Sequence, residues 1–423
     1  MPTRKLFRPL ALAAALALAA AACGGGGEGG GQAGGGGGAQ RADGTLKFGY
    51  VLPETGQLRP LGPPQWEAAK YAISEINDAG GVQGKQIPEI VASDEAGDEA
   101  VAAQSADRVL NSNVDAIIGA AASGMTGAIV DKVTGAGVVQ CSGSNTAQTL
   151  SEVQDNGFYF RTAPSDALQG PVLAEKIISD GYTDVAVVGR ADDYGKGLVA
   201  STVQALEEAG ATVSVNETYD PNAQNFDAVV QQIADAKPDA AALISFEEGG
   251  QILQGMIESG VGPKDIGVYG ADGLADETLP TTVSEEDPGA ITGMQGTAPG
   301  ANNPDFFDEL KKFSPDLETT QFAPEVYDCV TLIALSAEAA KSDDPTKIKD
   351  QLVGLTKDGE KCESFADCKA LLDEGADIDY DGVSGPLEFT DVGEPSTATY
   401  RVYAFKGKGK LDITDYVEAN PAQ

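Results

Sequence analysis

Short apolar runs alternate with amphipathic stretches from Thr45 to about Phe246, and this alternation restricts the possible folds more than any other feature. A strand is predicted from Leu46 to Leu52 and a helix from Pro64 to Asp78, where apolar residues recur at helical spacing and two glycines soon follow. Further strands are predicted at Ile87 to Ala92, Asp115 to Gly119, Gly137 to Cys141, Asp184 to Gly189, Thr212 to Thr218, Ala240 to Phe246 and Gly267 to Gly270. The pattern predicts an α/β protein, and this many strands indicates two parallel sheets flanked by helices.

The N-terminal residues 1–22 have the pattern of an export signal. Basic residues precede an uncharged Ala/Leu run from Leu10 to Ala22, which is shorter than the roughly 20 residues of a membrane-spanning helix. Ala20-Ala21-Ala22-Cys23 resembles the lipobox of bacterial lipoproteins, with alanine in place of the usual leucine. The resemblance implies an acylated Cys23 and a Gly-rich tether over residues 23–43 that holds the protein at the membrane. The alternative is a plain secreted protein with a thiol near its start.

Charge and composition exclude several classes of function. The chain has 65 acidic and 28 basic residues, and removal of a signal with three basic residues takes the formal net charge from −37 to about −40. Nucleic acid is excluded as a partner because it needs a basic footprint. The 423 residues include no histidine, which removes the commonest general base and the commonest metal ligand. Ser-x-x-Lys and Gly-x-Ser-x-Gly patterns do not occur either, and we expect a protein without catalysis, cofactor or metal.

Besides Cys23, the chain has four cysteines, an even number that suits disulfides in an oxidising compartment. Cys362 with Cys368 would close a short loop, and Cys141 with Cys329 a long one. For the long-range pair, buried free thiols are the alternative, since spacing alone cannot bring two distant cysteines within ~6 Å of each other.

Polar residues fill the turns that follow the predicted strands. Parallel sheets bind ligands beyond the carboxyl ends of their strands, so these turns are candidate binding segments. In chain order they are Ser123 to Thr126, Ser142 to Thr146, Asp192 to Gly195, Phe246 to Glu248 and Asp272-Gly273. The first has the glycine spacing of a P-loop, but Met125 stands where a phosphate-binding lysine is needed, and nucleotide binding is rejected. Each turn alone also fits a helix N-cap.

Four further motifs occur in register with these turns: Ile76 to Gly84, Phe160 to Asp166 with Gln169-Gly170, Asp193 to Gly197, and Tyr380 to Pro386. With them, the chain from Thr45 to about Tyr416 resembles the type I periplasmic binding proteins, specifically the family that binds leucine, isoleucine and valine. The resemblance implies an extracytoplasmic, monomeric component of an ABC importer. Such a protein captures a small amino-acid-like ligand and delivers it to the permease subunits.

The same resemblance implies two α/β lobes, each a doubly wound parallel sheet, joined by three crossovers near Pro164, Leu274 and Gly382. Lobe 1 would comprise residues 44–163 and 275–382, and lobe 2 residues 164–274 and 383–423. The ligand would lie between the lobes and stabilise their closed arrangement, which a transporter can recognise.

Ligand-binding positions of the family can be matched to this chain residue by residue. The resemblance implies that Ser123 and Thr146 bind the α-carboxylate, that the backbone carbonyl of Ser144 receives the ammonium group, and that the Asp272 carboxylate pairs with it. The full set of expected ligand-binding residues is Ser123, Gly124, Thr126, Ser144, Asn145, Thr146, Tyr194, Phe246 and Asp272.

Two of these positions depart from the family pattern. Asp272 is one methylene shorter than the glutamate that is common in leucine binders, and Phe246, which with Tyr194 matches the aromatic positions of the second lobe, lacks the hydroxyl of a tyrosine. Glu247 and Glu248 are expected near the cleft and would disfavour a ligand of net negative charge. Because the ammonium-binding end departs from the family pattern, a short amide, urea or an aromatic acid is an alternative ligand.

Residues Asp377 to Glu388 satisfy the spacing of a calcium-binding loop, with three closely spaced carboxylates and a distal glutamate. A helix should follow such a loop, but Pro386 and the run Leu387 to Phe389 read as a strand and turn, and Ser384 occupies a usually apolar position. We therefore expect the segment to be a crossover and not a metal site.

Two other functions stay open. A lipoprotein enzyme of the cell envelope could use Asp192, Asp193 or Glu247 as acid and base, and it would turn over its ligand. A ligand sensor could present the same cleft to a receptor kinase instead of a permease, and no feature within the chain separates it from a transport component.

Overall fold

The computed structural model describes residues 42–420, and the predicted signal, Cys23 and most of the expected tether lie outside the described residues. The first sheet is entirely parallel, with strands in the order β2-β1-β3-β4-β5. These strands are β1 (Phe48–Leu52), β2 (Val91–Asp94), β3 (Ala116–Gly119), β4 (Val139–Ser142) and β5 (Tyr159–Arg161). Between residues 42 and 420, no helix is both long and apolar enough to span a bilayer.

The second sheet has seven strands in the order β15-β14-β10-β9-β8-β6-β7. Its strands are β6 (Asp184–Arg190), β7 (Thr212–Tyr219), β8 (Ala240–Ile244), β9 (Gly267–Gly270), β10 (Gln295–Pro299), β14 (Ala398–Lys406) and β15 (Lys410–Ala419). Strands β6 to β10 pair in parallel, whereas β14 and β15 are antiparallel, so this sheet is mixed at one edge. A small third sheet is formed by β11 (Glu360–Cys362), β12 (Ile378–Gly382) and β13 (Gly385–Pro386).

Helices cover both faces of the two large sheets, as the alternating pattern predicts. The first eight are α1 (Gly62–Asp78), α2 (Glu99–Leu110), α3 (Ser123–Gly135), α4 (Asp166–Ser179), α5 (Asp193–Glu208), α6 (Asp227–Ala236), α7 (Gly249–Glu258) and α8 (Leu279–Val283). The last four are α9 (Pro304–Phe313), α10 (Ala323–Ala340), α11 (Pro345–Leu352) and α12 (Phe365–Glu374). Each large sheet has a buried apolar cluster on either side.

Helix α10 is buried along most of its length because it packs between α1 and the first sheet. Cys329 of this helix is disulfide-bonded to Cys141 of β4, with the two Cα atoms 5.9 Å apart. Cys362 and Cys368 form the second disulfide, which closes the turn between β11 and α12. Both expected cysteine pairs are therefore joined in this structure.

Each of the eight strands predicted between Leu46 and Gly270 corresponds to a strand of the structure, with differences at the ends. The largest difference concerns β2, which starts at Val91 and not at Ile87. The Ile87 backbone N–H instead donates a 2.7 Å hydrogen bond to Asn77 Oδ1 at the end of α1. This side-chain contact holds residues 87–90 outside the sheet.

The expectation that lobe 1 resumes at residue 275 places β10 in the wrong lobe. Gln295 of this strand pairs with Tyr269 of β9 and with Ala404 of β14, so β10 lies within the second sheet. Residues 383–389 were expected in lobe 2 but pack with lobe 1. There β13 pairs with β12, and Leu387 and Phe389 join the apolar cluster beside the first sheet. Both differences arise because sheet membership depends on partners distant in the sequence.

Candidate functional site

The turn after β3 and the turn after β4 are joined by the Ser123 side chain. Ser123 is the first residue of α3, and its Oγ accepts hydrogen bonds from the backbone N–H groups of Thr146 (3.3 Å) and Ala147 (3.1 Å). Both turns sit at the carboxyl edge of the first sheet, as expected for adjacent parallel strands. Because Ser123 Oγ accepts both bonds, its hydroxyl proton is left for an acceptor such as a carboxylate.

Asn145 and Thr126 brace these turns from inside. Asn145 Nδ2 donates to Thr126 Oγ1 (2.6 Å) and to the carbonyl of Ala120 (3.2 Å), and the Tyr159 hydroxyl donates to Asn145 Oδ1. Both residues are buried, and their side-chain groups are used within the protein. At Gly124, an added Cβ would meet only a Glu99 carboxylate oxygen at 3.7 Å, so the space there does not require glycine.

Ser144 connects the site to α1 through a residue that the sequence did not indicate. Its Oγ lies 2.9 Å from the carbonyl oxygen of Ala121 and 3.0 Å from Gln65 Oε1, and Gln65 Nε2 donates to the carbonyl of Leu61. Gln65 is fully buried. A glutamine on a predicted helix face gives no sequence signal for this role, since most such residues are solvated.

Asp272 provides the carboxylate at the edge of the second sheet. It begins a short 3-10 turn (Asp272–Leu274) directly after β9 and is 1% exposed. Its Oδ1 accepts hydrogen bonds from Tyr194 Oη (2.8 Å) and Gln169 Nε2 (3.1 Å). Burial raises the pKa of Asp272 to about 6, although both hydrogen bonds oppose the rise. The side chain is thus an oriented carboxylate that titrates near pH 6.

Tyr194 and Phe246 form a stacked aromatic pair beside Asp272. Their ring centroids are 5.0 Å apart and their planes are inclined by 7°. The guanidinium group of Arg190 lies 4.1 Å from the Phe246 ring centroid and also pairs with Glu248 at 2.9 Å. Glu248 therefore has a cationic partner, which it shares with Asp192, whereas its neighbour Glu247 forms no ion pair among the described residues and lines the cleft.

Residues of the first half of the protein pack against this aromatic pair. Leu58 and Phe322 share one buried cluster with Tyr194 and Phe246, and Gln321 Nε2 donates to the backbone carbonyl of Asp272. A cavity of about 440 Å³ opens next to this contact. Its lining includes Arg59, Glu67, Glu247, Asp276, Asp316 and Glu318. The candidate site is therefore enclosed by both halves of the protein, with an acidic opening.

The sequence of residues 45–410 matches the family model described as "Periplasmic binding protein". The chain belongs to the periplasmic binding protein family. A Pseudomonas aeruginosa protein named leucine-, isoleucine-, valine-, threonine- and alanine-binding protein is 30% identical over 321 residues, which cover 74% of this chain and 83% of that protein. A Brucella melitensis protein named Leu/Ile/Val-binding protein homolog 1 is 26% identical over 378 residues, or 88% of this chain and 92% of that protein.

Solved structures of periplasmic binding proteins share the fold. The substrate-binding protein of a Streptococcus pneumoniae branched-chain amino acid transporter, solved with isoleucine, has a TM-score of 0.73 and 26% identity, covering 88% of this chain and 99% of its own. A leucine-binding protein from Thermotoga maritima has a TM-score of 0.74 at 22% identity, with 89% and 99% covered, and supports the fold alone. The type I architecture expected from the sequence is confirmed by these structures.

Asp166 is a second buried carboxylate of this periplasmic binding protein, and it stands close to Asp272. Neither of its carboxylate oxygens has a hydrogen-bond partner among residues 42–420. Burial raises its pKa well above the usual range, the charge of Asp272 adds to the rise, and nearby Thr146 opposes it. The Thr146 hydroxyl itself lacks a hydrogen-bond partner in the described chain. Asp166 and the Thr146 hydroxyl thus interact weakly with each other and have no better-placed partner among residues 42–420.

Two of the three carboxylates considered for acid–base chemistry lie at the start of α5. Asp192 is the N-cap of α5, where its Oδ1 accepts a 2.9 Å hydrogen bond from Gly195 N–H, and its other oxygen pairs with Arg190. Asp193 lies in the first turn of the same helix, where acidic residues are favourable. Glu247 lines the cavities at the opening.

The segment with calcium-loop spacing is part of the small third sheet. Residues 378–382 form β12, and Lys361 Nζ lies 2.8 Å from Asp379 Oδ2, 2.9 Å from Asp381 Oδ1 and 3.6 Å from Glu388 Oε1. One lysine thus occupies the centre of the carboxylate group. The run Leu387 to Phe389, expected as a strand, forms only an isolated bridge between Phe389 and Pro395.

Proposed function

We propose that this periplasmic binding protein is the solute-binding component of an ABC importer and that its ligand is an α-amino acid with a small or branched apolar side chain. Two observations together carry the proposal: Asp272 is an oriented carboxylate after a strand of the second sheet, and Ser123 is a hydroxyl group after a strand of the first. An α-amino acid has an ammonium group that can bind Asp272 and a carboxylate that can bind Ser123. The relatives named above bind leucine, isoleucine or valine, which agrees with this ligand class.

The proposed site holds the two ends of a zwitterion by charge-assisted hydrogen bonds. Ser123 and Thr146 donate to the carboxylate, the carbonyl of Ser144 and the carboxylate of Asp272 accept from the ammonium group, and Tyr194 with Phe246 encloses the side chain. Charge-assisted bonds contribute on the order of 1.5 to 3 kcal/mol each, so two occupied ends suffice for tight binding in a small site. Glu247 at the opening disfavours ligands of net negative charge.

Ligand capture would couple the two lobes. We infer crossovers between them at residues 162–165, 300–303 and 390–397, where the chain passes between elements packed on the first sheet and strands of the second. A ligand bound to Ser123 of one lobe and Asp272 of the other stabilises the closed form relative to the open form. The permease would recognise that form.

The experiment is thermal unfolding of the Cys23→Ser protein against single amino acids, short amides, urea and aromatic acids. A ligand at 100 times its Kd adds about 2.7 kcal/mol to the free energy of unfolding. We expect the largest shift with leucine, isoleucine or valine and none in Asp272→Ala. A shift with an amide or aromatic acid alone would contradict the ammonium-binding role of Asp272, and conversion of the ligand into product would contradict a binding function.

We also propose that Cys23 carries a lipid anchor. Support comes from the sequence Ala20-Ala21-Ala22-Cys23 and the Gly-rich segment after it. Cys23→Ser should move the protein from the membrane fraction to the soluble extracytoplasmic fraction. Equal membrane association of both forms would overturn the anchor.

A further inference from the structure

A second cavity lies on the opposite side of the segment that closes the ligand site. It measures about 260 Å³ and is lined from both halves of the protein, by Phe307, Phe322 and Glu325 on one side and Arg401, Leu411 and Ile413 on the other. Gln321, directly before Phe322, contacts Asp272 in the ligand site. The two sites are therefore separated by one short stretch of chain.

Arg401 is the first unusual feature of this cavity. Its side chain forms no hydrogen bond and no ion pair within 4 Å among residues 42–420, and its Nε is buried without a partner. Arg59 and Arg108 also form no ion pair within the described chain, but among the described arginines only Arg401 has a buried nitrogen without a hydrogen-bond partner. A buried donor without an acceptor costs about 1–3 kcal/mol, which an anionic ligand would recover.

Glu325 is the second unusual feature. It is 2% exposed, and its Oε2 has no hydrogen-bond partner in the described chain. Burial raises its pKa to about 7, Arg401 opposes the rise, and Asp328 on the same helix adds to it. Below that pH the protonated carboxyl group is a donor, so Glu325 and Arg401 both present hydrogen atoms to the same acceptor.

The rest of the lining limits what this acceptor can be. Phe307, Phe322, Leu411 and Ile413 provide apolar walls, which suit a hydrocarbon body. Glu277 and Asp412 also line the cavity, and of the two only Asp412 has a cationic partner, Lys406, within the described part of the chain. Their negative charge disfavours ligands with two or more carboxylates.

We propose that this cavity is a second ligand site, which takes a small monocarboxylate with an apolar body. Its carboxylate is held by Arg401 and Glu325, and its body lies against Phe307 and Phe322. Because the cavity is lined by residues of α9 and α10 and by residues of β14 and β15, an occupant stabilises the closed arrangement of the lobes and raises affinity at the first site. The contacts that form this second site do not depend on which ligand occupies the first site.

The test is calorimetry with 3-methylbutanoate at pH 6, using the Cys23→Ser protein, with 3-methylbutanamide as the uncharged control. We expect the acid to bind and the amide not to bind. Arg401→Gln should weaken binding of the acid by about tenfold or more, the effect of losing one charge-assisted contact. Ser123→Ala, which alters only the first site, should leave it unchanged.

The pH dependence of binding is the second readout, and the Glu325→Gln variant tests it because its amide group is a hydrogen-bond donor at every pH. The unmodified site should lose affinity for 3-methylbutanoate between pH 6 and pH 8.5, as Glu325 ionises, whereas Glu325→Gln should retain it. No binding of the acid, or binding that survives Arg401→Gln, would overturn the second site. Binding abolished by Ser123→Ala would also overturn it, because the acid would then occupy the first site.

Discussion

The Tyr194 hydroxyl donates a 2.8 Å hydrogen bond to Asp272 Oδ1 and thereby links the aromatic wall of the candidate site to its carboxylate. Tyr194 lies in the first turn of α5, after β6, and Asp272 follows β9. The ring also stacks on Phe246, which fixes the direction of the hydroxyl. Asp272 is thus oriented before any ligand arrives, which reduces the entropy lost on binding.

Removal of this hydroxyl is expected to weaken ligand binding. Tyr194→Phe keeps the stacked ring but leaves Asp272 Oδ1 with Gln169 as its remaining side-chain donor. We expect the Kd for leucine, isoleucine or valine to rise by about tenfold, the value of one hydrogen bond to a charged group. Calorimetry measures the change. An unchanged Kd would show that the hydroxyl does not position the carboxylate.

Ligand binding is expected to weaken below pH 6. An ammonium group binds the ionised form of Asp272, whose pKa burial has raised to about 6 in the free protein. As the pH falls from 6 to 4, protonation of Asp272 competes with the ligand, and the Kd should rise by up to about tenfold per pH unit. Titrations at several pH values measure this slope. Asp272→Asn should bind weakly at every pH, and a pH-dependent Kd in that variant would assign the titration to another group, such as Asp166.

The ion pair of Arg161 and Glu394 is expected to contribute strongly to stability. The Arg161 side chain is 1% exposed, and its guanidinium group also donates to Ser151 Oγ (2.7 Å) and the carbonyl of Ala147 (2.9 Å). Glu394→Gln leaves a buried cation uncompensated and should lower the free energy of unfolding by about 3–5 kcal/mol.

Denaturant titration measures this loss against a matched pair at the surface. Lys312 and Glu309 also form an ion pair, but both side chains are more than half exposed. Glu309→Gln should therefore change stability by less than about 1 kcal/mol. Equal effects of the two substitutions would contradict a special role of burial.

The two disulfides are expected to differ in their effect on stability. Cys141 and Cys329 are 188 residues apart in the sequence, whereas Cys362 and Cys368 are separated by 6. Loop-closure entropy predicts a loss of about 5 kcal/mol for the double serine variant of the first pair and about 2 kcal/mol for the second. Denaturant titration of both double variants tests this order. A larger loss from the short loop would show that loop entropy does not control the effect.

Stability of the ligand-free protein is expected to fall as the pH rises from 5 to 8, in part because of Glu95. This residue is fully buried, and burial raises its pKa from 4.5 to about 8, although a 3.1 Å hydrogen bond from Ala121 N–H opposes the rise. The folded state therefore keeps a proton that the unfolded state has lost above pH 4.5. The resulting stability is present below pH 4.5 and is lost as the pH approaches 8.

Glu95→Gln should remove this contribution. The decrease in unfolding free energy between pH 5 and pH 8 should become smaller by about 3 kcal/mol. Unfolding curves at each pH measure the difference, with the exposed Glu309→Gln as control. A slope equal to that of the unsubstituted protein would mean that Glu95 ionises normally in the folded state.

Prediction from the sequence succeeded where the signal is local. Strands, helices and the polar turns after the strands follow from short-range periodicity, and parallel neighbours such as β3 and β4 necessarily bring Ser123 and Thr146 to one edge. Gln65 and Gln321 were missed, because nothing near them in the sequence distinguishes them from solvated glutamines. The ion pair of Glu248 was not foreseen for a similar reason, since its partner Arg190 lies 58 positions away.

The sequence by itself determined the class of fold, the order of its elements and the turns that carry the candidate site. These properties depend on hydrophobic period and turn chemistry, which act over a few residues. Only the tertiary structure decided that β10 belongs to the second sheet, that Cys141 meets Cys329, and that Arg401 Nε is buried without a hydrogen-bond partner among residues 42–420. Those properties depend on burial and on pairing between distant segments, and both are set only when the whole chain has packed.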